Sequence, residues 1–262
     1  MMSTNTDHFT PLARQYASFR PSYPEELFDW LASIAPLRQM AWDCGAGNGQ
    51  ATVELAARFE QVLATDISAA QLAAAPPRAN VEYRAAPAEA SGLPAQSADL
   101  VTIAQALHWF DLPKFYAEVH RVLKPHGVIA AWGYNRLRID HAGLQQVLDR
   151  FYDETIGAYW PPERLHVENG YRDLAFPFAR IASPEFALHK EWQREHLLGY
   201  LRSWSAVGRF QAALGFDPVD ELAEEIGAYW REGVVYRIEW PLFMHVGRVD
   251  QGTPELLHSW IA

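Results

Sequence analysis

The stretch Met40-Ala41-Trp42-Asp43-Cys44-Gly45-Ala46-Gly47-Asn48-Gly49-Gln50 decides the architecture. A short apolar run ends in an acid, three glycines follow at alternate positions, and a helical pattern opens at Gln50. Strand, glycine turn and helix start, in that order, form the loop with which α/β sheets hold nucleotide-like ligands. The glycines at 45, 47 and 49 do not match G-x-G-x-x-G, because position 50 is Gln, and no Gly-Lys-Ser/Thr closes the loop. The spacing disfavours both a dinucleotide and a nucleoside triphosphate.

Working outward, the apolar runs 40–43, 62–66, 81–84, 100–103 and 128–132 alternate with helical stretches at 50–59, 68–75 and 114–123. That alternation predicts an α/β fold, a parallel Rossmann-like sheet with helices on both faces. The runs are almost continuously apolar, as strands buried on both faces should be. Upstream, Pro21 and Pro24 split a helical pattern over 11–35 into two helices. Downstream, 137–182 is aromatic-rich and irregular, with Pro161, Pro162 and Pro177 as punctuation. Later come a strand at 186–192, helices at 196–214 and 219–230, and a strand-like run at 234–249. Pro241 makes that run either two strands or one kinked edge strand. The expected organisation is one domain over 1–262. It comprises a helical lid (1–36), a ligand-binding core (37–135), an inserted cap (137–182) and a sheet-completing part (184–262).

Bulk properties narrow the function. A net charge of −10, with Lys and Arg scattered singly, offers no basic stripe for a nucleic-acid backbone. No apolar run is long enough to span a membrane. The single cysteine and the polar first residues predict a cytoplasmic protein. Ten histidines without H-x-x-x-H or Cys/His pairing give no metal site. A second acid, Asp66, ends the next strand 19 residues after Gly47. A carboxylate there can accept from both hydroxyls of a ribose, each charge-assisted bond being worth roughly 1.5–3 kcal/mol. An anion in that place also suits a cationic sulfonium ligand without phosphates. A plain tight turn with a helix cap would explain the same residues.

Asp43, Gly45, Gly47 and Gly49 complete D-x-G-x-G-x-G, and with Asp66 the chain resembles the class I S-adenosylmethionine-dependent methyltransferases. The resemblance covers about 40–135. It implies S-adenosylmethionine as cofactor, the glycine loop along its methionine part, Asp43 helping to hold the ammonium group and Asp66 holding the ribose. Ala88-Glu89 matches loosely where the family lines the adenine. Tyr16-x-x-x-Arg20-Pro21-x-Tyr23-Pro24 and Gln105-Ala106-Leu107-His108-Trp109-Phe110-Asp111 are similar to a narrower group, small-molecule enzymes resembling trans-aconitate methyltransferase.

Methyl transfer is an in-line displacement, so positioning is its main demand. Gln105 to Phe110 lies at the carboxyl end of the fourth strand, where open α/β sheets bind ligands. His108 is the candidate catalytic residue: it can orient an acceptor, take the proton of a hydroxyl, or bind a carboxylate as an imidazolium. Its bland alternative is a loop histidine bonded to backbone. Gln105 is assigned to the cofactor. Tyr16 and Arg20, four apart on a short helix, could close over the site, with Arg20 on the cofactor carboxylate. Trp109, Tyr23, Tyr134, Trp160 and Trp204 are candidate substrate walls, each of which could equally be core. The expected activity is methylation of a small molecule at oxygen, as carboxylate or hydroxyl. The alternatives are a non-catalytic S-adenosylmethionine-binding regulator and an NAD-dependent oxidoreductase, the latter disfavoured by Gln50.

Overall fold

The computed structural model describes residues 21–249. In chain order they form α1 (Glu25–Ile34), β1 (Met40–Cys44), α2 (Gln50–Ala56), β2 (Gln61–Asp66), α3 (Ala69–Ala73), β3 (Val81–Ala85) and β4 (Ala98–Ala104). Next come α4 (Leu112–Val122), β5 (Leu123–Tyr134), β6 (Arg138–Ile139), α5 (Ala142–Arg150), α6 (Arg164–Glu168), β7 (Ala179–Arg180) and β8 (Ala187–Trp192). The last are α7 (Arg194–Arg202), α8 (Ser205–Leu214), α9 (Pro218–Gly227) and β9 (Tyr236–Arg248). They fall into two compact units, the larger holding Tyr23–Tyr134, Leu165–Phe186 and 242–249, the smaller Asn135–Arg164 and Ala187–Pro241.

The larger unit is the expected Rossmann-like sheet flanked by helices. Strand order is β3-β2-β1-β4-β5, all parallel, followed by the second half of β9 running antiparallel to β5. Between β1 and β4 the winding reverses, and ligands of such sheets bind at the carboxyl edge there. β4 is buried at six successive positions, from Ala98 to Ile103, which accounts for its unbroken apolar run. α4 closes one face with Phe115, Val119 and Val122, all fully buried; Phe115 lies 6.1 Å from the Trp42 ring.

Two buried carboxylates pin opposite ends of this sheet. Asp99 accepts from the backbone N–H of Gln39 and Met40 at 3.0 and 2.9 Å and pairs with Lys124 Nζ at 2.9 Å. One side chain thereby fixes the starts of β1, β4 and β5. Asp43, at the far end of β1, accepts from Thr52 Oγ1 in α2 at 2.6 Å and from Thr102 Oγ1 in β4 at 2.9 Å. Beside it Cys44 is buried, and that burial raises its thiol well above the ordinary thiol pKa.

In the smaller unit β6 and β8 pair antiparallel with the first half of β9. β9 is a single strand in which Pro241 stands opposite Ala187, but it is not the expected edge strand: it pairs with β6 and β8 along its first half and with β5 and β7 along its second. The stretch 137–182 is more regular than its composition suggests. Leu144, Val147 and Leu148 are buried at helical spacing in α5, whose N-terminus is capped by the His141 side chain accepting from Leu144 N at 3.2 Å. A five-residue π-turn, Phe151–Thr155, follows it. Helix 196–214 is two helices, α7 and α8, broken where Trp204 turns extended and Ser203 Oγ bonds Tyr200 O. Of the stretch expected to complete the sheet, residues 187–241 belong to this unit and only Leu242–Arg248 of β9 joins the larger sheet.

Burial raises the Asp43 pKa from 3.8 to about 6, against the two threonine hydroxyls that favour its anion. Between about pH 4 and 6 the unfolded chain has released this proton while the folded protein keeps it, so stability falls as pH rises. Asp43→Asn removes the titration. Relative to wild type, D43N should gain up to about 3 kcal/mol between pH 4 and pH 7. Urea unfolding of both proteins at the two pH values measures this; parallel pH profiles would contradict it.

Candidate active site

The loop after β1 takes its shape from three left-handed glycines, with φ of 71° at Gly45, 55° at Gly47 and 83° at Gly49. At Gly45 the need is also steric, since a Cβ there would stand 2.6 Å from Ala106 Cβ. The glycine loop and the turn after β4 are therefore in backbone-level contact. Gly45 and Ala46 donate N–H to Thr65 O at 2.8 and 2.9 Å, fastening the loop to β2. Around Gly47 a Cβ would meet nothing within 4 Å. That open side is where the loop can receive a ligand chain.

Asp66, half-buried at the end of β2, accepts from Gly47 N at 2.9 Å and from Ser68 N at 2.8 Å, one on each carboxylate oxygen. A carboxylate oxygen has a second lone-pair direction, so each remains able to accept from a ribose hydroxyl. The next residue, Ile67, is 85% exposed. Sequence reasoning passed it over, although an apolar residue directly after the strand-end acid was the available signal. Asp43 lies behind the loop with both oxygens taken by threonine hydroxyls, so its observed contacts shape the loop. Ala88 is buried, and Glu89 Oε1 accepts from Asp111 N at 3.0 Å, tying the loop after β3 to the cap of α4. Among the described residues, the carboxylates Asp43 and Asp66 and no basic side chain of the turn 43–49 itself suit a cationic, phosphate-free ligand with a vicinal diol. The residues fit a sulfonium nucleoside.

At the end of β4, Gln105 is left-handed at φ 57°, its N–H bonded to Trp132 O at 2.9 Å and its Nε2 to Tyr134 O at 3.0 Å. A short 3₁₀ turn, Leu107–Trp109, follows. Within it His108 Nδ1 lies 2.8 Å from Tyr171 OH. Trp109 is 58% exposed, its ring 4.8 Å from the imidazole, and so stands on the rim. Tyr171 is fully buried and also left-handed, at φ 57°. An aromatic residue in that conformation costs about 1–3 kcal/mol and tends to occur where geometry is being enforced for use. Sequence reasoning missed Tyr171, because 63 residues separate it from His108 and only the preceding Gly170 hints at a special turn.

The structure thus brings Gly45, Gly47, Gly49, Asp66, Glu89, Gln105, His108 and Trp109 to one edge of the larger unit. Tyr23 and Tyr134 are buried in the same unit; Tyr23 meets Trp132 edge-on at 5.7 Å, and Tyr134 supplies the carbonyl held by Gln105. Trp160 and Trp204 belong to the smaller unit. They pack there 5.5 Å apart against Tyr152, with the Arg164 guanidinium 5.1 Å from the Trp160 ring. Tyr16 and Arg20 lie outside the described residues.

Comparison with known proteins agrees with this geometry. Residues 42–131 match a family described as a methyltransferase domain. A protein of Dictyostelium discoideum described as a methyltransferase is 38% identical over 223 residues, covering 84% of this chain and 85% of its own. A methyltransferase of Schizosaccharomyces pombe is 32% identical over 199 residues, covering 74% and 77%. A solved structure from Anaeromyxobacter dehalogenans, described as a type II methyltransferase, superposes with a TM-score of 0.83 at 44% identity, covering 87% of this chain and 97% of that one. With the glycine loop, the strand-end acid and the sheet order already in place, these likenesses fix the family: the chain belongs to the class I S-adenosylmethionine-dependent methyltransferases.

Proposed function

We propose that the enzyme methylates a small molecule at oxygen, a hydroxyl or carboxylate, with His108 on the acceptor side. The observation that carries this reading is the His108–Tyr171 pair on the turn that touches the glycine loop through Ala106 and Gly45. When bound, S-adenosylmethionine supplies an activated methyl group on a cationic sulfur. Asp66 holds the ribose hydroxyls, the open side of Gly47 accommodates the methionine part, and Ile67 offers apolar surface to the base. His108 orients the acceptor and, for a hydroxyl, takes its proton. Fixing the two partners in line can supply roughly 7–11 kcal/mol of the barrier, so one well-placed base suffices. The net charge of −10 supports a small acceptor over nucleic acid.

Transfer from methyl-labelled cofactor across a panel of phenols, hydroxy acids and carboxylic acids tests the reading. Product is expected from one of these classes, and methylation of RNA or peptide alone would refute it. Asp66→Asn should weaken S-adenosylhomocysteine binding at least about tenfold, given roughly 1.5–3 kcal/mol per charge-assisted bond. Calorimetry measures this, and an affinity within twofold of wild type would remove the ribose assignment. His108→Ala should lower turnover about a hundredfold or more, the usual loss of a general base, with cofactor affinity nearly unchanged. Equal losses in both would place His108 on the cofactor instead.

A further inference from the structure

Gly170 and Tyr171 end α6 in a way that only half follows from helix termination. Gly170 N bonds Val167 O at 2.9 Å and Tyr171 N bonds His166 O at 2.8 Å, the paired bonds of a Schellman cap. That cap needs one left-handed residue, and Gly170, at φ 60°, supplies it. The second left-handed residue, Tyr171, is surplus to the cap. Its consequence is a buried ring whose hydroxyl meets His108 Nδ1 at 2.8 Å.

What holds this turn comes from β9. His245 is buried there, opposite Ala131 of β5. Its Nδ1 is 2.8 Å from Arg180 Nη1 and its Nε2 is 2.8 Å from Gly170 O. A guanidinium can only donate, so Nδ1 accepts and the ring proton sits on Nε2, donating to the Gly170 carbonyl. Burial and the Arg180 cation both keep His245 neutral, against the Gly170 bond. The Tyr171 ring is then wedged edge-on against Phe243 at 5.0 Å.

We propose that Tyr171 is a positioning residue that fixes the tautomer and orientation of His108, and that His245, locked by Arg180, holds Tyr171 in place through Gly170. For His108 to take a proton at Nε2, its Nδ1–H must donate to the Tyr171 oxygen, and that is the tautomer the pair is proposed to fix. The relay Arg180–His245–Gly170–Tyr171–His108 gives the imidazole the kind of third-group orientation on which general bases rely. This rests on His108 being the acceptor-side base, and its first test is independent of that reading.

Imidazole-¹⁵N-labelled full-length protein, with the His108 signals assigned from His108→Ala, reports the tautomer directly. Wild type is expected to show one tautomer at His108, and Tyr171→Phe a mixture. His245→Leu should reproduce the Y171F pattern, while His245→Gln, which keeps an N–H donor at the Nε position, should keep the wild-type pattern. Unchanged His108 signals in Y171F overturn the proposal even should H245L fail to fold. Unchanged signals in a folded H245L overturn the role of His245. In turnover, Y171F should lower kcat about tenfold with KM unmoved, wrong tautomers being costly to bases. The double variant Y171F/H245L should then be no slower than Y171F, and multiplied losses would overturn the relay. Intact spectra with no methylated acceptor would refute the acceptor reading and leave the relay standing.

Discussion

The active edge depends on one steric fact, the absence of a side chain at Gly45. A Cβ would stand 2.6 Å from that of Ala106, so any other residue would force the loop after β1 away from the turn after β4. The first of these segments is the loop proposed to receive the cofactor, and the second carries His108. Methyl transfer tolerates little error in the line between donor and acceptor. Contact at backbone level leaves no flexible side chain between the two, and the precision of the site begins there.

Around that contact the protein arranges polar groups in layers. Asp43 sits deepest and is spent on holding β1, α2 and β4 together through two threonines. Asp66 stands nearer the edge, shaping the loop through Gly47 and Ser68 while keeping lone pairs for a ligand. Two acids that look alike in a motif thus have different work, and burial decides which does what. The deeper one holds its proton up to about pH 6, whereas the half-buried one stands where a ligand can reach it.

Sequence alone disclosed the parallel sheet because its signals are local. Apolar runs of strand length, alternating helices and the glycine spacing need no knowledge of what lies across the fold. Asp66 was legible for the same reason, standing at a fixed offset from the loop. Tyr171 was not, because its pairing with His108 is a tertiary event carried by an unusual backbone angle. α5 escaped notice since histidine is an uncommon cap, and the break at Ser203 carries no glycine or proline to announce it. Trp160 and Trp204 pack against each other and against Tyr152 in the smaller unit, Trp204 also meeting Tyr200 and Trp160 the Arg164 guanidinium, a cluster of tertiary neighbours that aromatic content alone does not disclose.

Cys44 closes β1 directly beneath the glycine turn, and it is the only cysteine in the chain. A disulfide reagent or maleimide attacks thiolate, which burial suppresses here, so modification must await an opening of the central strands. The speed of alkylation is therefore a built-in gauge of how often the heart of the sheet comes apart. A ligand gripping the turn above should slow that gauge, giving a screen for compounds that needs no knowledge of what the enzyme methylates.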